Sequence, residues 1–197
     1  MSRVEPENTR RAQAPADPQF MGRWSPRAFS PEPIAPEALA SLFEAARWAP
    51  SCFNEQPWLF LYAVTPQDRA LFLSCLVEFN QRWAGEAPVL VFVLAKKRFA
   101  KNGEPNRWAA FDAGAAWVSL ALQARKLGLY AHAMAGFDGE RAHEVLRVAK
   151  GDHDILAAVA VGKYGDPGRL PPDMKKSESP NGRKPLSEVA VEGALPG

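Results

Sequence analysis

The chain has 197 residues, 47% hydrophobic and 23% charged, an ordinary globular composition that suits one domain with a full core and leaves little room for two. Its 24 basic and 22 acidic residues nearly cancel, to a net +2, and they are interspersed, which excludes disorder over most of the chain and gives no basic tail for nucleic acid. No apolar run reaches the ~18 residues of a membrane helix, the N-terminal residues lack a signal-type apolar stretch, and two cysteines without Cys-x-x-Cys spacing point to a reduced, cytoplasmic protein.

Taken in chain order, residues 1–20 read as a loose arm. Pro36–Trp48 is the first helix, with Leu39, Leu42, Phe43 and Ala46 at i, i+3, i+4, i+7 spacing, and Pro50 stops it. Trp58–Val64 has strand length. Pro66–Trp83 reads as one helix, with proline in its first turn. Pro88–Ala95 is an unbroken apolar strand, expected to be covered on both faces.

Lys96–Arg107 is a loop with five basic residues and one acidic. Trp108–Leu127 is the longest helix, ended by Gly128. Tyr130–Met134 is a short strand. Asp138 caps a helix running to about Val148, and Ile155–Val161 is a second buried strand. Residues 165–197 form an extended arm, too short for a second domain. The alternation of strands and helices predicts an α/β or α+β sheet between helices.

The long helix is apolar nearly all round. From Ala109 to Leu122 only Asp112 and Ser119 interrupt it. Such a helix is buried on all sides, either as the centre of one monomer or as the seam of a homodimer.

The usual phosphate-loop, dinucleotide and zinc-protease signatures are missing. His132, His143 and His153 have no ligand-spaced partners, so no metal site is expected. Cys52 has no neighbour that would lower its pKa, which favours a structural thiol over a nucleophile. Two segments carry more information. In an extended Arg23–Phe29, the side chains of Arg23, Ser25 and Arg27 share one side. Two guanidiniums and a hydroxyl there suit a phosphate, the alternative being a solvated face. The second segment is Ala49–Trp58 (APSCFNEQPW), at a helix end before a strand. Asn54 and Gln56 each offer donor and acceptor, as a heterocycle edge requires, or they merely cap a turn.

Together these segments resemble the nitroreductase family of FMN-dependent oxidoreductases. The first motif is Arg-x-Ser-x-basic with Phe following, here Arg23, Ser25, Arg27 and Phe29; the second is Ala-Pro-Ser-Ser-x-Asn-x-Gln-Pro-Trp, here with Cys52 at the second serine. The likeness continues through Asn80, the small-residue helix, the Gly136-Phe137-Asp138 turn and Arg183 to Leu186, covering about residues 20–190.

The resemblance implies an α+β three-layer sandwich, a mixed central sheet flanked by helices with extended terminal arms, in one domain over 1–197. It implies a homodimer with FMN at the interface. Arg23, Ser25, Arg27 and Arg183 would hold phosphate and ribityl from one subunit, and Pro50, Ser51, Cys52 and Asn54 would come from the other. Asn80 would bond the pyrimidine or ribityl side, and the Ala135 and Gly136 backbone would lie near the flavin N5. Trp108 and Phe111 would line the substrate space.

The implied activity is NADH- or NADPH-driven reduction of nitroaromatics, quinones or similar electrophiles in a ping-pong pattern, the cofactor doing the chemistry. The alternative is a flavin sensor or carrier without turnover. Neither nucleic acid nor membrane is an expected partner. Ala135 replaces a glutamate of some members. Trp83 and Asn181 stand where some members carry lysine, so Asn181→Lys is expected to strengthen flavin binding.

Overall fold

A computed structural model describes residues 5–194. Four strands form one sheet in the order β1-β2-β4-β3: β1 Trp58–Ala63, β2 Val89–Lys96, β3 Tyr130–Met134 and β4 His153–Gly162. Every pairing is antiparallel. The α+β sandwich is as expected, but the mixed pairing implied by the resemblance is absent from the described sheet. Each neighbouring pair runs in opposite directions because no parallel crossover joins adjacent strands.

β2 is buried at seven consecutive positions, with only Lys96 exposed. Its alternate residues feed two cores. Val89, Val91, Val93 and Ala95 face α2 (Pro36–Arg47) and α5 (Ala109–Lys126). Leu90, Phe92 and Leu94 face the opposite layer, which includes α3 (Pro66–Leu73), α4 (Glu78–Ala84), α6 (Gly139–Val145) and α7 (Pro172–Lys175). A strand covered on both faces gains nothing from polar alternation, so its sequence has none. Between the cores, β4 presents Val159 and Val161 to one and Ala158 and Ala160 to the other.

α2 follows its sequence pattern: Pro36 opens it and Leu39, Leu42 and Ala46 are buried. α5 packs Ala109, Ala113, Ala116, Leu120, Ala121 and Ala124 inward. Alanines let the helix lie close to α2, and the Gln123 amide donates to the Ser41 hydroxyl at 2.8 Å. At its end Gly128 takes φ +71°, and Leu129 N–H returns to the Ala124 carbonyl at 2.8 Å. Only glycine enters that region without steric cost.

Three expectations are corrected. The helix expected over Pro66–Trp83 is two, α3 and α4, because Leu76 leaves the helical path to bridge Phe137 and Val77 N–H bonds the Gly136 carbonyl. The helix after Asp138 stops at Val145, short of Val148, where Arg147 turns to φ 55°. Nor is α5 buried on all sides within one chain, since Ala110, Phe111, Gly114 and Val118 are exposed.

The arms are partly structured. A short α1 (Pro18–Gly22) lies in the first. In the second, α7 buries Met174, and two single turns flank it. Residues 1–4 and 195–197 of the two arms lie outside the described residues.

Candidate functional site

The segment Arg23–Phe29 is pinned by its apolar members. Trp24, Ala28 and Phe29 are buried in the core below α4, and Phe29 forms a bridge with Tyr164. Arg23, Ser25 and Arg27 are left half-buried between them, as the extended reading predicts. Arg23 Nη1 lies 3.4 Å from Ser25 Oγ. Both line a cavity of about 340 Å³ with Trp117, Val118, Ala121 and Ala133.

Arg27 stands further along. Its guanidinium sits 5.9 Å from the Phe79 ring centre, and its Nη1 is 3.4 Å from Ser177 Oγ. Its Nε is buried without a hydrogen-bond partner. Glu178, from the C-terminal arm, takes up the backbone here: its carboxylate accepts from Arg27 N–H at 2.9 and 3.0 Å and from Ala28 N–H at 2.8 Å. Burial pushes the Glu178 carboxyl above its ordinary range, against those hydrogen bonds.

Phe79 leads directly to Asn80, whose Nδ2 donates to the Gly136 carbonyl at 2.9 Å. Gly136 has to be glycine for a packing reason: a Cβ there would lie 2.6 Å from Asn80 Nδ2 and 2.9 Å from Val77 Cγ2. The break between α3 and α4 is what brings the two together. Ala135 beside it is exposed.

Sequence reasoning weighed His132 only as a metal ligand and gave it no place in the site. It lies on β3, with its ring centre 4.6 Å from that of Trp83. Its Nδ1 is 2.8 Å from the Pro26 carbonyl, which can only accept, so Nδ1 carries the proton. Burial lowers its pKa to about 4; the Pro26 bond opposes that, and the Arg27 and Arg23 charges add to it. A neutral ring therefore sits within electrostatic reach of two guanidiniums. Trp83 itself is buried, sandwiched by Phe29 and His132, so this position belongs to the core and not to an open cation site.

The second motif forms a strained turn at the start of α5. Phe53, Asn54 and Gln56 have φ of 52°, 57° and 50°. Left-handed conformations cost roughly 1–2 kcal/mol at non-glycine residues and concentrate at ligand clamps. The turn is held by Gln56 N–H on Ser51 Oγ at 3.0 Å and by Cys52 N–H on Asp112 Oδ2 at 3.0 Å. Asp112 is buried and was visible in the sequence as one of two polar breaks in an apolar helix. Pro50, Ser51 and Cys52 line a second cavity, about 410 Å³, with Trp108, Phe111, Asp112 and Ala115. Trp108 and Phe111 thus meet the motif, both exposed.

Within one chain the two motifs do not share a cavity. They open at successive stretches of α5, at Trp108–Ala115 and at Trp117–Ala121.

Arg183 joins the first group through the arm. Its Nη1 donates to Asn181 Oδ1 at 3.0 Å. That same oxygen accepts from Arg10 Nη2 at 3.1 Å. Asn181 is therefore occupied by two guanidiniums, and a lysine placed there would repel both. The expected benefit of Asn181→Lys is withdrawn on that ground. Among the described residues no cluster of metal-ligating side chains occurs, and no helix is long and apolar enough to cross a membrane.

Comparison with known proteins places this geometry. The nitroreductase family model matches residues 20–78 and 65–163. A solved structure described as an oxidoreductase containing FMN is 43% identical, covers 98% of this chain and 100% of its own, and superposes with a TM-score of 0.92. A Streptomyces coelicolor protein bearing the name NADH dehydrogenase/NAD(P)H nitroreductase is 31% identical over 56% of this chain, and the match spans 64% of that relative. One of the same name from Xanthomonas oryzae is 28% identical over 81% of this chain and 89% of its own length. The chain belongs to the nitroreductase family, oxidoreductases that use FMN.

Proposed function

We propose that this chain binds FMN between two copies of itself and passes electrons from NADH or NADPH to a small electrophile such as a nitroaromatic or a quinone. The observation that carries the reading is the arginine group. Arg23 stands beside Ser25 and within electrostatic reach of Arg183, Arg27 and Arg23 both act on His132, and a buried Arg27 Nε is left without a partner. Guanidiniums held this way are suited to a phosphate, whose oxygens match their fork.

Other residues fit the rest of the cofactor. The Asn80 amide fills the space that a Gly136 Cβ would take and is held on the Gly136 carbonyl, so its remaining donor and acceptor are fixed in place to meet the edge of a flat ring. The Pro50–Asn54 turn offers the Asn54 side-chain amide on a separate face, and the exposed apolar stripe of α5 carries it toward a second copy. Bound FMN supplies hydride acceptance and electron delivery. The protein's part is to anchor the phosphate, orient the ring by amide contacts, and shield one face. His132 stays neutral near the arginines and so adds no further charge to their repulsion. Trp108 and Phe111 give the cover an aromatic lining on which a planar substrate can stack. One such space serves nicotinamide and acceptor in turn, the basis of a ping-pong pattern.

The test is spectroscopic. Purified protein, with FMN added if needed, should show a bound-flavin spectrum. Anaerobic NADH or NADPH should bleach it, and a quinone or nitroaromatic should restore it. Stoichiometric FMN binding with no bleaching by either nicotinamide would replace the enzyme reading with a flavin carrier or sensor.

A further inference from the structure

Arg10 lies in the N-terminal arm, which the sequence presents as loose, yet its guanidinium is almost fully engaged. Nε donates to the Asn181 carbonyl at 2.7 Å, and Nη2 to Asn181 Oδ1 at 3.1 Å. Nη1 donates to the Met21 carbonyl at 3.0 Å and the Arg23 carbonyl at 2.7 Å. Four acceptors, on Met21, Arg23 and Asn181, the last of them 171 residues from Arg10 in sequence, are joined by one side chain. The charged neighbours that act on it, Arg23 and Arg183, are both cations; with burial, they disfavour its charge. Three like charges are thus drawn together by carbonyl and amide oxygens, an arrangement that an anion would relieve.

We propose that Arg10 is a positioning residue for the phosphate end of the flavin site, clipping the Arg23 strand to the Asn181–Arg183 arm so that the arginines of both arms act on one anion. This rests on the FMN reading above. A point-charge ammonium cannot replace it, because the clip needs the planar fork to reach Met21, Arg23 and Asn181 at once.

The experiment compares FMN and riboflavin binding to full-length wild type, Arg10→Ala, Arg10→Lys, Asn181→Ala and the Arg10→Ala/Asn181→Ala double variant by flavin fluorescence titration. Wild type that binds neither flavin would overturn the FMN reading itself. With wild type binding FMN more tightly than riboflavin, each single variant should lose FMN affinity by about tenfold or more, the scale of a charge-assisted contact. Riboflavin binding should be unchanged, which also shows that each variant is folded. The double variant should be no worse than either single one, since both break the same clip. Wild-type FMN affinity in Arg10→Ala or Arg10→Lys, equal loss of FMN and riboflavin, or additive losses in the double variant would each overturn the proposal.

Discussion

His132 shows how one side chain can carry a pH dependence for the whole fold. Its folded pKa is lowered from 6.5 to about 4, first by burial and then by Arg27 and Arg23, against the Pro26 hydrogen bond. Below pH 6.5 the unfolded chain takes up a proton that the folded chain refuses. Stability therefore falls as pH drops from about 6.5 to about 4 and gains no further slope from this group below that. The full effect is on the order of 3 kcal/mol. Urea denaturation at pH 7.5 and 4.5 should show that loss in wild type, and His132→Asn should remove most of it. Equal pH slopes in the two proteins would exclude His132 as the source.

At the scale of the element, α5 divides its small residues between two tasks. Ala113 and Ala116 are wholly buried against α2 and the sheet. Gly114 and Val118 lie on the exposed side, in line with Phe111. An arginine on the inner face must bury an unpaired charge in a packed core, a penalty of several kcal/mol. On the outer face it stays in water and disturbs only what docks there. Ala116→Arg should thus lower expression or unfold the chain, whereas Gly114→Arg, at an exposed position with open space around it, should leave circular dichroism and thermal midpoint intact. Gly114→Arg should shift sedimentation from dimer to monomer and weaken FMN binding together with it. A Gly114→Arg protein that stays dimeric would place the seam elsewhere, and a monomer with full FMN affinity would show that the cofactor site needs only one chain.

For the whole molecule, the C-terminal arm divides at about Gly182. Before it, α7 buries Met174, and Glu178 caps the backbone of Arg27 and Ala28. Beyond it, residues 183–194 are exposed and join the rest through such contacts as Leu186 N–H on the Gln13 amide oxygen. Truncation after Gly182 should therefore leave the sheet folded while removing the Arg183 cation, and FMN affinity should drop by about tenfold or more. Unchanged affinity in the truncated protein, measured by the same titration, would make the last residues a tail without a role in the site.

The sequence alone determined what depends on neighbours along the chain. The apolar run of β2, the proline and glycine limits of α2 and α5, the cap at Asp138 and the alternation that leaves Arg23, Ser25 and Arg27 half-buried between buried neighbours are all local, and each is found as read. The motif pair also identified the family, because its spacing is a linear property. What tertiary structure decided is what depends on distant partners. The break between α3 and α4 exists because Leu76 and Val77 find Phe137 and Gly136, far along the chain. Trp83 became core because Phe29 and His132 close on it. The two sides of α5 look alike as a string of small residues, and only packing against α2 and the sheet separates the inner alanines from the open stripe. Arg10, Asn181 and Glu178 carry no local signal for the contacts that join the arms to the core, since those partners lie 11 to 171 residues away and arginine, asparagine and glutamate in an arm read as solvated polarity until the fold brings those oxygens and N–H groups within reach.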